Sequence, residues 1–192
     1  MRRLLLAPLL ALAAAAEARF DASAYFEAGV DYLRVGLYSR ARGALCECVL
    51  LAPEQPVALA FLGVAVAAEG GNAADSALIL RRSLAALPDG KALHFDLREL
   101  LPSGRAYALL RSDLQRARTR GARGALEVLA FLETFGAGGR ALEELEASAA
   151  GDPFAATLRR ISRLRPNRPP VREEGGSSST TLPTVSRCPA AA

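Results

Sequence analysis

The feature that most restricts how this chain can fold is an internal repeat: Gly29 and Gly63 stand 34 residues apart, and Pro53 and Pro88 stand 35 apart. A unit of that length cannot bury its own apolar face, so successive units must stack on one another. In the first unit Ala28-Gly29 is followed by Tyr32, Ala41, Leu45, Cys48 and Pro53. In the second, Leu62-Gly63 leads to Val66, a Gly70-Gly71-Asn72 turn, Ser76, Leu80, Ser83 and Pro88; one added turn residue accounts for the longer interval. A further unit reads Val128-Leu129, Leu132, a turn from Gly136 to Gly139, Ala141, Leu145, Ser148 and Pro153. The stretch between, 89–121, is about one unit long but follows the pattern poorly.

This spacing resembles the tetratricopeptide repeat, a helix–turn–helix with a small or apolar pair ending in Gly, an aromatic three residues on, a small residue twelve after the Gly, and a terminal Pro. The order Leu93 to Leu101, followed by an Arg-rich stretch, is similar to a group of exported bacterial tetratricopeptide proteins, and the likeness runs over roughly residues 24–152. The resemblance implies an all-α fold: a right-handed superhelix of antiparallel helix pairs with a C-terminal capping helix.

Apolar periodicity and punctuation predict helices near 23–35, 38–51, 56–69, 73–86, 92–101, 104–119, 122–135, 138–150 and 153–164. Asp152 and Ser103 are expected N-caps, with Pro153 in a first turn where its missing N–H costs nothing. Gly36, Gly70 and Gly136 are expected to end helices in the left-handed conformation. In the last helix Phe154, Leu158 and Ile161 share one face, so it is expected to cap the stack.

The two ends read differently from the middle. Met1-Arg2-Arg3 followed by the Leu- and Ala-rich run Leu4 to Ala16 has the form of a secretory signal, with small-x-small sites that allow a start at Arg19 or Glu17. The run is shorter than the roughly 20 residues of a spanning helix and contains Pro8, so no transmembrane segment is expected after cleavage. Residues 166–192 are rich in Pro, Gly, Ser and Thr and are expected to be disordered. The expected organisation is thus a signal over 1–18, a repeat domain over 19–165 and a tail over 166–192, with a periplasmic or extracellular destination.

The sequence carries 24 basic and 20 acidic residues, and removing the signal takes Arg2, Arg3 and Glu17 with it. So mild a positive balance in an exported chain argues against a nucleic-acid partner. His94 is the only histidine, which excludes a multi-histidine metal site and leaves any Ser-His-acid triad dependent on it. No serine sits in a G-x-S-x-G turn. Gly136 to Gly139 falls where the repeat needs its turn and has no Walker lysine after it. Neither an enzyme nor a cofactor is expected. Cys46 and Cys48, two apart, fall on nearly opposite faces of a helix and are read as small packing residues. Glu143, Glu144 and Glu146 are read as a solvated face.

What the resemblance implies about function is protein or peptide binding on the first helix of each unit. Projected onto this sequence, the binding face carries Phe26, Val30 and Leu33, then Ala60, Val64 and Ala67, then Leu126, Ala130 and Glu133. Its apolar character suits an apolar or amphipathic segment, with Phe26 as anchor and Arg34 and Glu133 at the rim. The competing expectation is that these residues bury against a neighbouring helix, such as one from the irregular central stretch. An alternative is attachment to an anionic envelope surface through Arg105, Arg111, Arg116, Arg118, Arg120 and Arg123, with Arg159, Arg160 and Arg163.

Overall fold

A computed structural model describes residues 22–87, 93–136 and 138–164, and all regular structure among the described residues is α-helical. Helix α1 covers 22–34. It is followed by α2 (Tyr38–Leu51), α3 (Pro56–Ala68), α4 (Ala73–Ala85), α5 (Leu97–Leu100), α6 (Gly104–Thr119), α7 (Ala125–Phe135), α8 (Ala141–Ser148) and α9 (Pro153–Leu164). The expected signal, Cys188 and the expected disordered tail lie outside the described residues.

Two glycines set how the first two helix pairs meet. A Cβ added at Gly29 would stand 2.6 Å from Leu45 Cγ, and one at Gly63 would stand 2.7 Å from Leu80 Cγ. Each leucine of the second helix therefore fills the space that the glycine of the first leaves open, and both leucines are fully buried. In the second pair the Ser76 hydroxyl donates to the Gly63 carbonyl over 2.7 Å, and Ser83 donates to the Pro56 carbonyl over 2.6 Å. These bonds satisfy hydroxyls that burial would otherwise penalise.

Helix α3 is apolar on every side, with Ala58 through Ala65 and Ala67 buried. A helix of that kind has to be enclosed. It packs on α2 and α4, while Phe61 on another side meets the rings of Phe26 and Phe95.

The chain order and the packing order part company after α4. Helix α7 packs directly on α4, as well as on α6, α8 and α9, so the stretch from Leu93 through α6 is inserted between two helices that are neighbours in space. Arg81 of α4 fastens this junction. Its guanidinium donates to both Asp152 carboxylate oxygens over 2.8 and 2.6 Å, reaches Glu127 of α7 at 3.4 Å and lies 5.0 Å from the centre of the Phe154 ring. Gly124 has φ +78, and a Cβ there would come within 2.5 Å of the Ala73 carbonyl oxygen. The approach of the α6–α7 turn to α4 thus requires glycine in both conformation and size.

Several expected boundaries shift for local reasons. Asp96, extended at φ −113 and ψ 116, accepts from the Arg98 backbone N–H over 2.9 Å. This cap confines the expected 92–101 helix to α5 and leaves 93–96 non-helical. Gly124 delays α7 to Ala125, and Gly138, with φ +77, delays α8 to Ala141. Gly136 has φ −125 and is not a left-handed cap; its missing side chain makes room for the Tyr107 ring. The other expected caps are in place: Ser103 accepts from Ala106 N–H, Asp152 accepts from Phe154 N–H, and Gly36 and Gly70 have positive φ. Phe154, Leu158 and Ile161 of α9 are all buried.

Candidate functional site

The face assigned to a binding groove lies largely inside the protein. Leu33, Ala60, Val64 and Ala130 have no accessible surface and Ala67 has little. Helices α2 and α4 flank α3, and the inserted segment adds to the enclosure of the cluster. Phe95 stands edge-on to Phe61 with ring centres 5.0 Å apart, stacks on Phe135 at 4.6 Å and lies 6.4 Å from Phe131. With Phe26 stacked on Phe61 at 5.5 Å, a continuous row of rings joins α1, α3, the insert and α7. Leu33, Ala60, Val64, Ala67 and Ala130 belong to the core cluster that these rings help enclose, and they cannot meet a partner in this conformation.

Glu133 is also not at a rim. It is 5 % exposed, and its Oε1 accepts from Arg111 Nε over 3.0 Å while Oε2 accepts from the Ala141 N–H over 2.8 Å. The carboxylate therefore pairs with an arginine of α6 and, at the same time, satisfies a free amide at the start of α8. Phe26, Val30 and Leu126 remain half-buried, and Arg34 is exposed, 3.6 Å from Asp31.

The accessible part of the expected site is thus its N-terminal edge, where the structure has a hollow of about 420 Å³. It lies between the start of α1, with Ala22, Ser23 and Phe26, and the α2–α3 turn, Ala52 to Gln55. Ala22, Cys48 and Ala58 form a small buried cluster with Phe26 and Ala52 packed against it. Cys48 Sγ lies 3.5 Å from Gln55 Oε1, and burial raises the thiol's pKa, which keeps it protonated. The sequence reading missed the contribution of the turn. Pro53 was legible only as the terminal Pro of the first unit, and nothing in the linear pattern placed it in one hollow with Ser23.

The remaining candidates divide cleanly. Cys46 is exposed and does not pack as expected, whereas Cys48 does. Among the arginines proposed for an anionic surface, Arg111 is engaged by Glu133, Arg116 by Asp113, Arg118 by Glu144 and Arg159 by Glu146. The last two pairs tie α8 to α6 and α9, so Glu144 and Glu146 are bridging groups and not a free acidic face. His94 is exposed. Among the described residues no three or more His, Cys, Asp or Glu side chains form a group that could hold a metal ion, and no helix is long and apolar enough to cross a membrane.

Compared with known proteins, the chain matches no family model, no curated protein and no solved structure.

Proposed function

We propose that this chain is an exported scaffold of the tetratricopeptide kind, which works by holding a segment of another polypeptide and not by catalysis. The observation that carries the reading is the pair of equivalent seats, Leu45 at Gly29 and Leu80 at Gly63, in register with the sequence repeat. Equivalent close approaches in successive helix pairs are what a stacked repeat requires. The packing of α7 on α4 is compatible with a third unit following the second, with the central stretch set aside as an insert.

The surface we assign to the partner is the hollow beside Phe26, with Val30 along the same helix. It is apolar except at Ser23, Glu54 and Gln55, and it suits one apolar side chain of the bound segment, flanked by polar groups that fix its direction. Export rests on the sequence of the first 18 residues, and the mass of the secreted protein, beginning at Arg19 or Glu17, tests it. Binding is tested by partner capture with the unaltered chain and with Phe26→Ala and Val30→Ser, at low and high salt, with melting measured alongside. Loss of capture in folded variants supports the hollow. Undiminished capture by both folded variants overturns it, and if high salt alone abolishes that capture, the arginines are responsible.

A further inference from the structure

The outward face of α2 carries Leu50, at 74 % accessible the most exposed large apolar side chain among the described residues. Ser39, Gly43 and Cys46 precede it at helical spacing and are exposed as well, on the side opposite the buried Ala41, Leu45 and Cys48. We propose that this face joins two copies of the chain, α2 against α2 and antiparallel about a two-fold axis, with Leu50 of each copy seated over Ser39 of the other. The inference goes beyond the scaffold reading and does not depend on it, since none of these residues lines the hollow beside Phe26.

Charge selects the occupant. Arg40 and Glu47 are exposed, lie about two turns apart on one flank of the Leu50 face and have no ion-pair partner among the described residues. A two-fold axis turns a helix end for end without exchanging its flanks, so the basic start of that flank meets the acidic end of the same flank on the second copy, and the pair forms twice. Arg42, on the opposite flank, is already held by Glu69 at 2.7 Å. The register that brings Arg40 near Glu47 of the second copy also sets Gly43 against Cys46 of that copy. Small residues at such a crossing let the helix axes approach closely. Cys46 and Leu50, open to solvent in the single chain, are then covered. Exposed ion pairs contribute little affinity, so the burial of Leu50 supplies the attraction while the charges fix the direction.

The experiment is sedimentation equilibrium of the chain as purified from its producing cells, over a wide range of concentration and with a reductant present so that no Cys46 disulfide contributes. The unaltered chain should pass from monomer to dimer and stop there, because a two-fold pairing is closed. A Cβ at Gly43 meets nothing within 4 Å in its own chain, so Gly43→Gln should keep its helical circular dichroism while it weakens the dimer by about tenfold or more, the close approach being blocked. Arg40→Glu and Glu47→Arg should each weaken it, since each sets like charges together, and the two combined should restore it. A chain that stays monomeric throughout, or that grows beyond a dimer, overturns the proposal. So does a dimer that folded Gly43→Gln leaves unchanged, or a doubly reversed chain that dimerises no better than the single variants.

Discussion

Leu80 of α4 sits in the space that the absent side chain of Gly63 leaves on α3, its Cγ 2.7 Å from where a Cβ would stand. Alanine at position 63 gains about 1 kcal/mol of helix propensity, yet the methyl has to displace a fully buried leucine. We expect Gly63→Ala to lower stability by about 0–2 kcal/mol net, because overpacking costs about 1–3 kcal/mol. In the background of Leu80→Ala the same substitution should become neutral or stabilising, a coupling of at least about 1 kcal/mol on a double-mutant cycle. Denaturant melts of the four chains measure it, and additive effects would mean that the two helices do not meet at this pair.

The Arg81–Asp152 pair gives stability a defined dependence on acid. Arg81's side-chain hydrogen bonds hold the Asp152 carboxyl below its ordinary range, with the Phe154 N–H adding to the effect. A carboxylate with a lowered native pKa binds its proton more readily in the unfolded chain, whose value is about 3.9. The pair's contribution is therefore fully present well above that value and is lost as pH falls through the lowered native one. Asp152→Asn should destabilise the protein at neutral pH and flatten the acid limb of its stability profile. An unchanged acid limb would show that other carboxylates govern it.

Glu133→Ala should cost about 2–4 kcal/mol, since removing one partner leaves a partly buried arginine and a helix-terminal amide unsatisfied. Glu133→Gln can still accept from both donors and should recover part of that loss. Thermal melts of the two variants test this. A change in partner binding without a change in melting would return Glu133 to the rim role its sequence position suggested.

Phe26 combines a stacked contact on Phe61 with exposure to the hollow, so its removal should register in both stability and binding. Phe26→Ala is expected to cost about 2 kcal/mol, below the roughly 3–5 kcal/mol of a fully buried phenylalanine. It should remove most of the affinity for the bound segment. A melting change as large as that of a fully buried ring, with affinity retained, would place Phe26 in the core.

Helix positions, most caps and the two glycine seats were legible in the sequence because they are set locally. A glycine at a fixed offset from a leucine in the next helix needs only helical geometry to bring the two together. Gly36, Gly70, Ser103 and Asp152 act within one turn of the chain, and so their roles could be read from neighbouring residues. Phe26 and Val30, expected on the binding face, are half-buried along α1.

What only the tertiary structure decided is which faces remain open, because exposure depends on residues far away in sequence. Helical register put Leu33, Ala60, Val64 and Ala130 on a face expected to meet a partner, but it carried no information about the long-range packing that buries them. Residues 93–96 lie outside any helix, a break masked in the sequence by the helix-forming residues that follow them. Arg111 with Glu133 and Arg81 with Asp152 are likewise invisible in the linear pattern, since charges join across whatever helices the packing brings together. Local backbone preference fixes the elements of this chain; long-range burial fixes which of their side chains a partner can reach.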